Sequence, residues 1–143
     1  MYIVSSCLAG INCRYDGENN LNEKVAKLVK EGKAIPVCPE MLGGLETPRD
    51  RSEIDKDQNG DRKVVTENGK DVTTEFIKGA MKTAAIAKII EADKAVMKKN
   101  SPSCGYGQIY DGTFSNNLVE GNGITVELLI ENGVEIITAD DLD

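Results

Sequence analysis

The chain has 143 residues, 40% hydrophobic and 29% charged, with four tyrosines, two phenylalanines and no tryptophan. That is the size of one ordinary domain, and its core must be packed by aliphatic side chains. The net charge of −7 opposes non-specific binding to nucleic acid or anionic lipid. No run approaches the roughly 18 apolar residues of a membrane span, and Met1 leads straight into a β-type segment without a signal-peptide pattern, so a cytoplasmic protein is expected.

Residues 2–6 read as a buried first strand, followed by a loop over 8–20 that is rich in Gly and Asn. Apolar residues at 21, 25, 28 and 29 predict a helix over 21–31, with Gly32 just past its end. Residues 34–37 form a short second strand, and 39–51 a dense loop containing the tandem Gly43-Gly44. Residues 52–55 and 62–66 can pair as a hairpin over an Asn59-Gly60 turn. The longest helix opens at Val72-Thr73, with Asp71 or Thr73 as its cap. Its buried face is expected to hold Phe76, Ile77, Ala80, Met81, Ala84, Ala85, Ile89 and Ile90. A third strand at 94–97, a loop over 98–106, an extended piece at 109–113, a helix over 123–132 with Val126, Leu129 and Ile130 inward, and a strand at 134–138 complete the order. Strands alternating with helices predict one α/β domain over 1–143, a three-layer α/β/α sandwich of Rossmann-like or flavodoxin-like type with a mainly parallel sheet.

Four cysteines stand in a chain with no histidine. Cys7, Cys38 and Cys104 each follow a predicted strand. In an open parallel sheet, segments leaving neighbouring strands at their carboxyl ends line one crevice, so distant residues can meet there. In a reducing compartment such cysteines bind metal or react more often than they form disulfides. Thiolates without imidazole suit a soft metal or an iron–sulfur cluster. The loops carrying these thiols also bring Arg14, Tyr15 and Asp16, then Glu40, Arg49 and Glu53, then Ser101 and Ser103. Arg49 and Glu53 are also spaced to form a surface ion pair across one turn.

Other chemistries fit less well. The closely spaced cysteine pairs of zinc knuckles and of thioredoxin-like centres are absent. A nucleophilic cysteine would lack a histidine base. A non-catalytic module in which Cys7, Cys13, Cys38 and Cys104 hold zinc or a closed cluster stays open as the alternative.

Three separated motifs, S-x-C-L-x-G-x-x-C-R-Y-D-G at 5–17, C-P-E-x-x-G-G-L-x-x-P-R-x-x-x-E at 38–53 and S-P-S-C-G at 101–105, resemble the thiouracil desulfidase family. The resemblance spans nearly the whole chain. It implies an enzyme that removes sulfur from a thiolated pyrimidine without net redox change, hydrolase-like, on a 4Fe–4S cluster with one open iron. It implies Cys7, Cys38 and Cys104 as the metal ligands, Glu40 as acid/base and Ser101 as its assistant. Arg14, Tyr15, Arg49 and Ser103 are then the candidates for contact with a small thiopyrimidine. Cys13 is expected not to be a permanent ligand, because a fourth thiolate would close the open position.

Overall fold

In the computed structural model, residues 1–56 and 59–142 are described. The chain opens with β1 (Tyr2–Ser5), whose Ile3 and Val4 point to opposite faces and are both fully buried. A 3-10 turn at Ser6–Ala9 follows, ended by Gly10 in the left-handed region (φ 98°). Helix α1 (Glu23–Lys30) begins later than the apolar spacing suggests, because the Asn22 side chain accepts from the backbone N–H groups of Lys24 and Val25 and caps it there. Leu21 is left outside and exposed.

Strand β2 (Ala34–Val37) leads into α2 (Pro39–Leu42), a single helical turn where the sequence reading expected loop. Pro39 at the first helical position carries the fixed φ that a helix start needs. The hairpin forms as expected from β3 (Ser52–Lys56) and β4 (Arg62–Thr66), in antiparallel register Ser52↔Thr66. The connection includes residues 57 and 58, outside the described residues; in the expected Asn59-Gly60 turn, Gly60 takes the left-handed conformation (φ 79°).

Helix α3 (Thr73–Ile89) starts after a cap position occupied by Val72, while the Asp71 carboxylate accepts from Thr73 N. Its buried face is narrower than expected. Phe76, Gly79, Ala80, Thr83 and Ala87 are buried, but Ile77, Met81 and Ile89 are exposed. The neighbours of α3 approach along a line of small residues, so the flanking large ones lie beyond the contact. Strand β5 (Lys94–Val96) is followed by the ribbon β6 (Gln108–Tyr110) and β7 (Leu118–Glu120). Then come α4 (Ile124–Glu131) and β8 (Glu135–Ile137). Val126 and Leu129 are fully buried on α4, whereas Ile130 is exposed, contrary to expectation.

The main sheet is parallel, in the order β2-β1-β5-β8. Ile3, Val37, Ala95 and Met97 pack against α3 and α4 on one face, while Val4, Ala34 and Val96 pack against Val25 of α1 on the other. This is the expected three-layer sandwich. Pro36 lies on the edge strand β2. Tyr2 N donates to Lys33 O (2.8 Å), which turns the odd-numbered backbone positions of β2 toward β1 and Pro36 outward. A third cluster, Ile54, Val64, Val72, Phe76 and Ile109, seats the hairpin against α3.

One close approach fixes α2. A Cβ on Gly43 would lie 1.9 Å from Glu75 O, and one on Gly79 would lie 1.8 Å from Pro39 O. The α2 and α3 backbones therefore touch with no side chain between them. Gly79→Ala is expected to destabilise the fold by about 1–3 kcal/mol, the usual cost of overpacking, and to lower the urea midpoint. An unchanged midpoint would show that α2 can retreat freely.

Candidate active site

The connection from β1 runs to β2 on one side, and the chain later returns to β5 on the other side of β1, a reversal that opens a crevice at the carboxyl ends of these strands. A cavity of about 290 Å³ lies there, and all four cysteines line it. Cys7 stands on the 3-10 turn after β1, Cys38 caps α2, and Cys104 sits in the loop after β5. Cys7, Cys13 and Cys104 are buried and Cys38 is half-buried.

The third loop is locked on both sides. Ser101 Oγ accepts from Cys104 N at 2.7 Å, closing the S-P-S-C turn. The first amides of α4 then donate to the same turn, Ile124 N to Pro102 O (2.8 Å) and Thr125 N to Ser103 O (3.0 Å). A side chain at Gly123 would strike the Ser103 carbonyl carbon at 2.4 Å, so glycine is required for this contact.

Glu40 projects from α2 into the cavity. Ser103 Oγ donates to its Oε2 at 2.9 Å, and Arg49 Nε donates to its Oε1 at 3.2 Å. Ser103 Oγ also lies 3.5 Å from Cys104 Sγ. Ser101 Oγ is 3.4 Å from Ser103 Oγ, so it reaches the carboxylate only through Ser103. Arg49 is nearly fully engaged by the protein. It also donates to Cys13 O (2.8 Å), Thr47 Oγ1 (2.9 Å) and Glu46 O (3.1 Å). The alternative surface pair of Arg49 with Glu53 does not form: Arg49 turns to Glu40, and Glu53 is fully buried against Arg51.

The thiols differ in their electrostatics. Hydrogen bonding to Cys13 lowers Cys7 to about 7, with help from Asn20 and the Lys98 and Arg14 charges, against the opposing effect of burial. Cys13 also lowers Cys38 to about 7, assisted by the Met41 backbone and the Arg49 charge. Cys13 itself is driven above the usual thiol range by the contacts with Cys38 and Cys7. Of this trio, Cys13 is the last to give up its proton. Burial pushes Cys104 up to about 12, although Ser103 and Ser5 pull it down. A coordinated cation would reverse that, since a ligating thiol is deprotonated.

Cys7, Cys38, Cys104, Glu40, Ser101, Ser103, Arg14, Tyr15 and Arg49 all line this cavity, whereas Asp16 and Glu53 do not. Arg14 and Tyr15 stand at its rim: Arg14 is held by Asp16 (2.8 Å) and Asn20 (2.9 Å), and Tyr15 is exposed. Arg51, Tyr110, Asn116 and Lys98 also line it and were not singled out. Arg51 carried a signal, two residues beyond Arg49 in the second motif. Tyr110 and Asn116 carried none, because the β6–β7 ribbon folds back over the crevice only in three dimensions.

The donor set fits an iron–sulfur group: buried or half-buried sulfurs from three chain segments, in a chain without imidazole. Among the described residues no three Cys, His, Asp or Glu side chains converge closely enough to share one metal ion. A cluster asks less of them, because each thiolate takes a different iron.

The 2-thiouracil desulfurase family model matches residues 2–141. The protein YbbK of Bacillus subtilis (strain 168), itself described as uncharacterized, is 48% identical over 148 residues, covering 100% of this chain and 98% of its own. The solved structure of a 4Fe–4S-dependent thiouracil desulfidase, TudS, matches with a TM-score of 0.88 and 39% identity, over 99% of this chain and 91% of that one.

The Arg49 clamp yields a stability prediction. Both side chains of the pair are mostly buried, 9% and 16% exposed. Arg49→Leu should therefore destabilise the protein by about 2–3 kcal/mol, short of the full cost of stranding a wholly buried charge. Arg49→Lys should restore only part of this, because a point charge cannot reproduce the fork. Urea unfolding of the two variants is the measurement, and equal stability of all three proteins would remove the clamp.

Proposed function

The chain belongs to the 2-thiouracil desulfurase family, and on that footing we propose that it removes sulfur from a small thiolated pyrimidine. The products are sulfide and the oxo-pyrimidine, without net redox change. The observation that carries this reading is the meeting of Cys7, Cys38 and Cys104 at one cavity beside the Glu40 carboxylate. The whole of 1–143 acts as one desulfidase-like domain, in the cytoplasm, where thiols stay reduced.

Cys7, Cys38 and Cys104 are the residues that would hold a 4Fe–4S cluster. Bound with three protein thiolates, such a cluster offers one open iron, a Lewis acid suited to a soft substrate sulfur. Cys13 stays a thiol behind Cys7 and Cys38 rather than a ligand.

Glu40 is the acid/base. Its Oε1 is held by Arg49 and its Oε2 faces the serines, so the carboxylate has one defined orientation beside Cys104. In this position it takes a proton from the water that attacks the ring carbon. Ser103 steadies the carboxylate directly, and Ser101 extends the hydroxyl chain by one step and offers a short proton path. Arg14 and Tyr15 meet the substrate at the rim, and Arg49 contributes mainly by orienting Glu40.

Protein reconstituted anaerobically should carry about four irons per chain and release sulfide from 2-thiouracil or 4-thiouracil. Cys7→Ser, Cys38→Ser and Cys104→Ser should each lose bound iron, whereas Cys13→Ser should keep both iron and turnover. Tightly held zinc without iron, or loss of the iron in Cys13→Ser, would favour the four-thiolate non-catalytic module instead.

Glu40→Gln should retain iron while kcat falls by about 10²–10⁴, the range for general acid–base groups. An unchanged kcat would remove Glu40 from the chemistry.

A further inference from the structure

Glu53 is the one wholly buried carboxylate among the described residues, on β3 at the back of the cavity wall. Burying an ionised carboxylate is costly unless partners are built around it. Here they are. Glu53 Oε1 accepts from Gly112 N (3.0 Å) and Phe114 N (3.1 Å), two amides of the β6–β7 loop. Its Oε2 lies 3.0 Å from Arg51 Nη2. That contact lacks the direction of a good hydrogen bond, so Oε2 is balanced by charge rather than by a shared proton.

The loop that Glu53 holds is conformationally demanding. Phe114 (φ 57°) and Asn116 (φ 62°) both occupy the left-handed region, where bulky residues are rare. Gly112 passes so close to β3 that a side chain there would meet Ile54 O at 2.7 Å. Such backbone persists only when its surroundings impose it, and it gathers at ligand clamps.

Arg51 is the product of this arrangement. Its guanidinium carbon sits 4.8 Å from the Tyr110 ring centroid and 6.0 Å from that of Phe114. The contacts to Glu53 and Asn116 (3.4 Å) both run through Nη2. No other hydrogen bond engages the guanidinium among the described residues. Arg51 lines the same cavity as the thiols. Arg49 differs, because its fork is committed to Glu40, Cys13 and the 46–47 backbone and side chain.

We propose that Arg51, positioned by Glu53 and stacked on Tyr110, reads the pyrimidine ring by donating to its remaining oxo oxygen. This rests on the desulfidase reading and adds the specificity of its site. A guanidinium is donor-only. An oxo group satisfies it, whereas an amino group at the same ring position sets donors against donors. The site therefore selects oxo-pyrimidines over amino-pyrimidines, and Glu53 is a positioning residue that acts through Arg51.

The test compares ligands that differ at this position. Cluster-loaded wild type should bind uracil about 10-fold or more tightly than cytosine, and should prefer 2-thiouracil to 2-thiocytosine in kcat/KM by a similar factor. Arg51→Gln, whose amide both donates and accepts, should bring both ratios near one. Glu53→Gln keeps an acceptor for the Gly112 and Phe114 amides but releases Arg51, so it should lower both ratios in the folded protein, and the broken ion pair should lower its melting temperature as well. If Arg51→Gln does not fold, Arg51→Lys, which keeps the charge and loses the fork, serves in the same binding measurement. Wild type that does not distinguish uracil from cytosine, or a folded Arg51 variant with unchanged ratios, overturns the proposal. If neither thiopyrimidine is desulfurated, the desulfidase reading fails, and the uracil-to-cytosine binding ratio still decides the role of Arg51.

Discussion

The arrangement of the cavity depends on β1 lying between β2 and β5, with all three strands running the same way. Cys7, Cys38 and Cys104 are 31 and 66 positions apart in the chain, as their numbers give (38 − 7 and 104 − 38). They meet because each follows a strand whose carboxyl end opens at the same edge. The ladder is the rigid element, and the three loops inherit their positions from it. Ser5 strengthens the junction, since its Oγ accepts from Lys98 N at 2.8 Å and ties the exits of β1 and β5 together. A reactive group built on separate loops is held in this way by paired backbone rather than by the loops themselves.

Two arginines in one motif have separate tasks. Arg49 faces inward and joins the α2 carboxylate to the carbonyl of Cys13, so the first and second cysteine loops move as one piece. Arg51 faces the opposite wall and is braced by Glu53 and an aromatic ring. The acidic chain thus concentrates cations around this crevice although its net charge is −7. Local field and overall charge have opposite signs, which favours electron-rich small molecules at the cavity and not polyanions at the surface.

Much of this was legible in the sequence, for physical reasons. Alternating strand and helix patterns gave the three layers, and cysteines placed just after strands pointed to one crevice. Helix α2 was missed because four residues are too few to display a 3.6-residue period, although Pro39 at its start was a usable sign. The exposed Ile77, Met81 and Ile89 were misassigned because hydrophobicity marks which faces can be buried, not how wide the neighbouring element is. The contact between Ser103 and Glu40 was out of reach, since nothing in S-P-S-C-G says which hydroxyl turns toward α2. The Glu53 anchor was hidden for the same reason: its partners lie about 60 positions later, at 112 and 114.

Pro36 has a consequence of its own. The main sheet ends at β2, and an unprotected border strand invites a foreign strand to add to the ladder. With no amide hydrogen facing outward at its middle, β2 makes a poor template for such growth. The end of the sheet beside Cys38 is therefore defended against fibre-like stacking of one copy on another, without any bulky side chain standing in the way of the crevice.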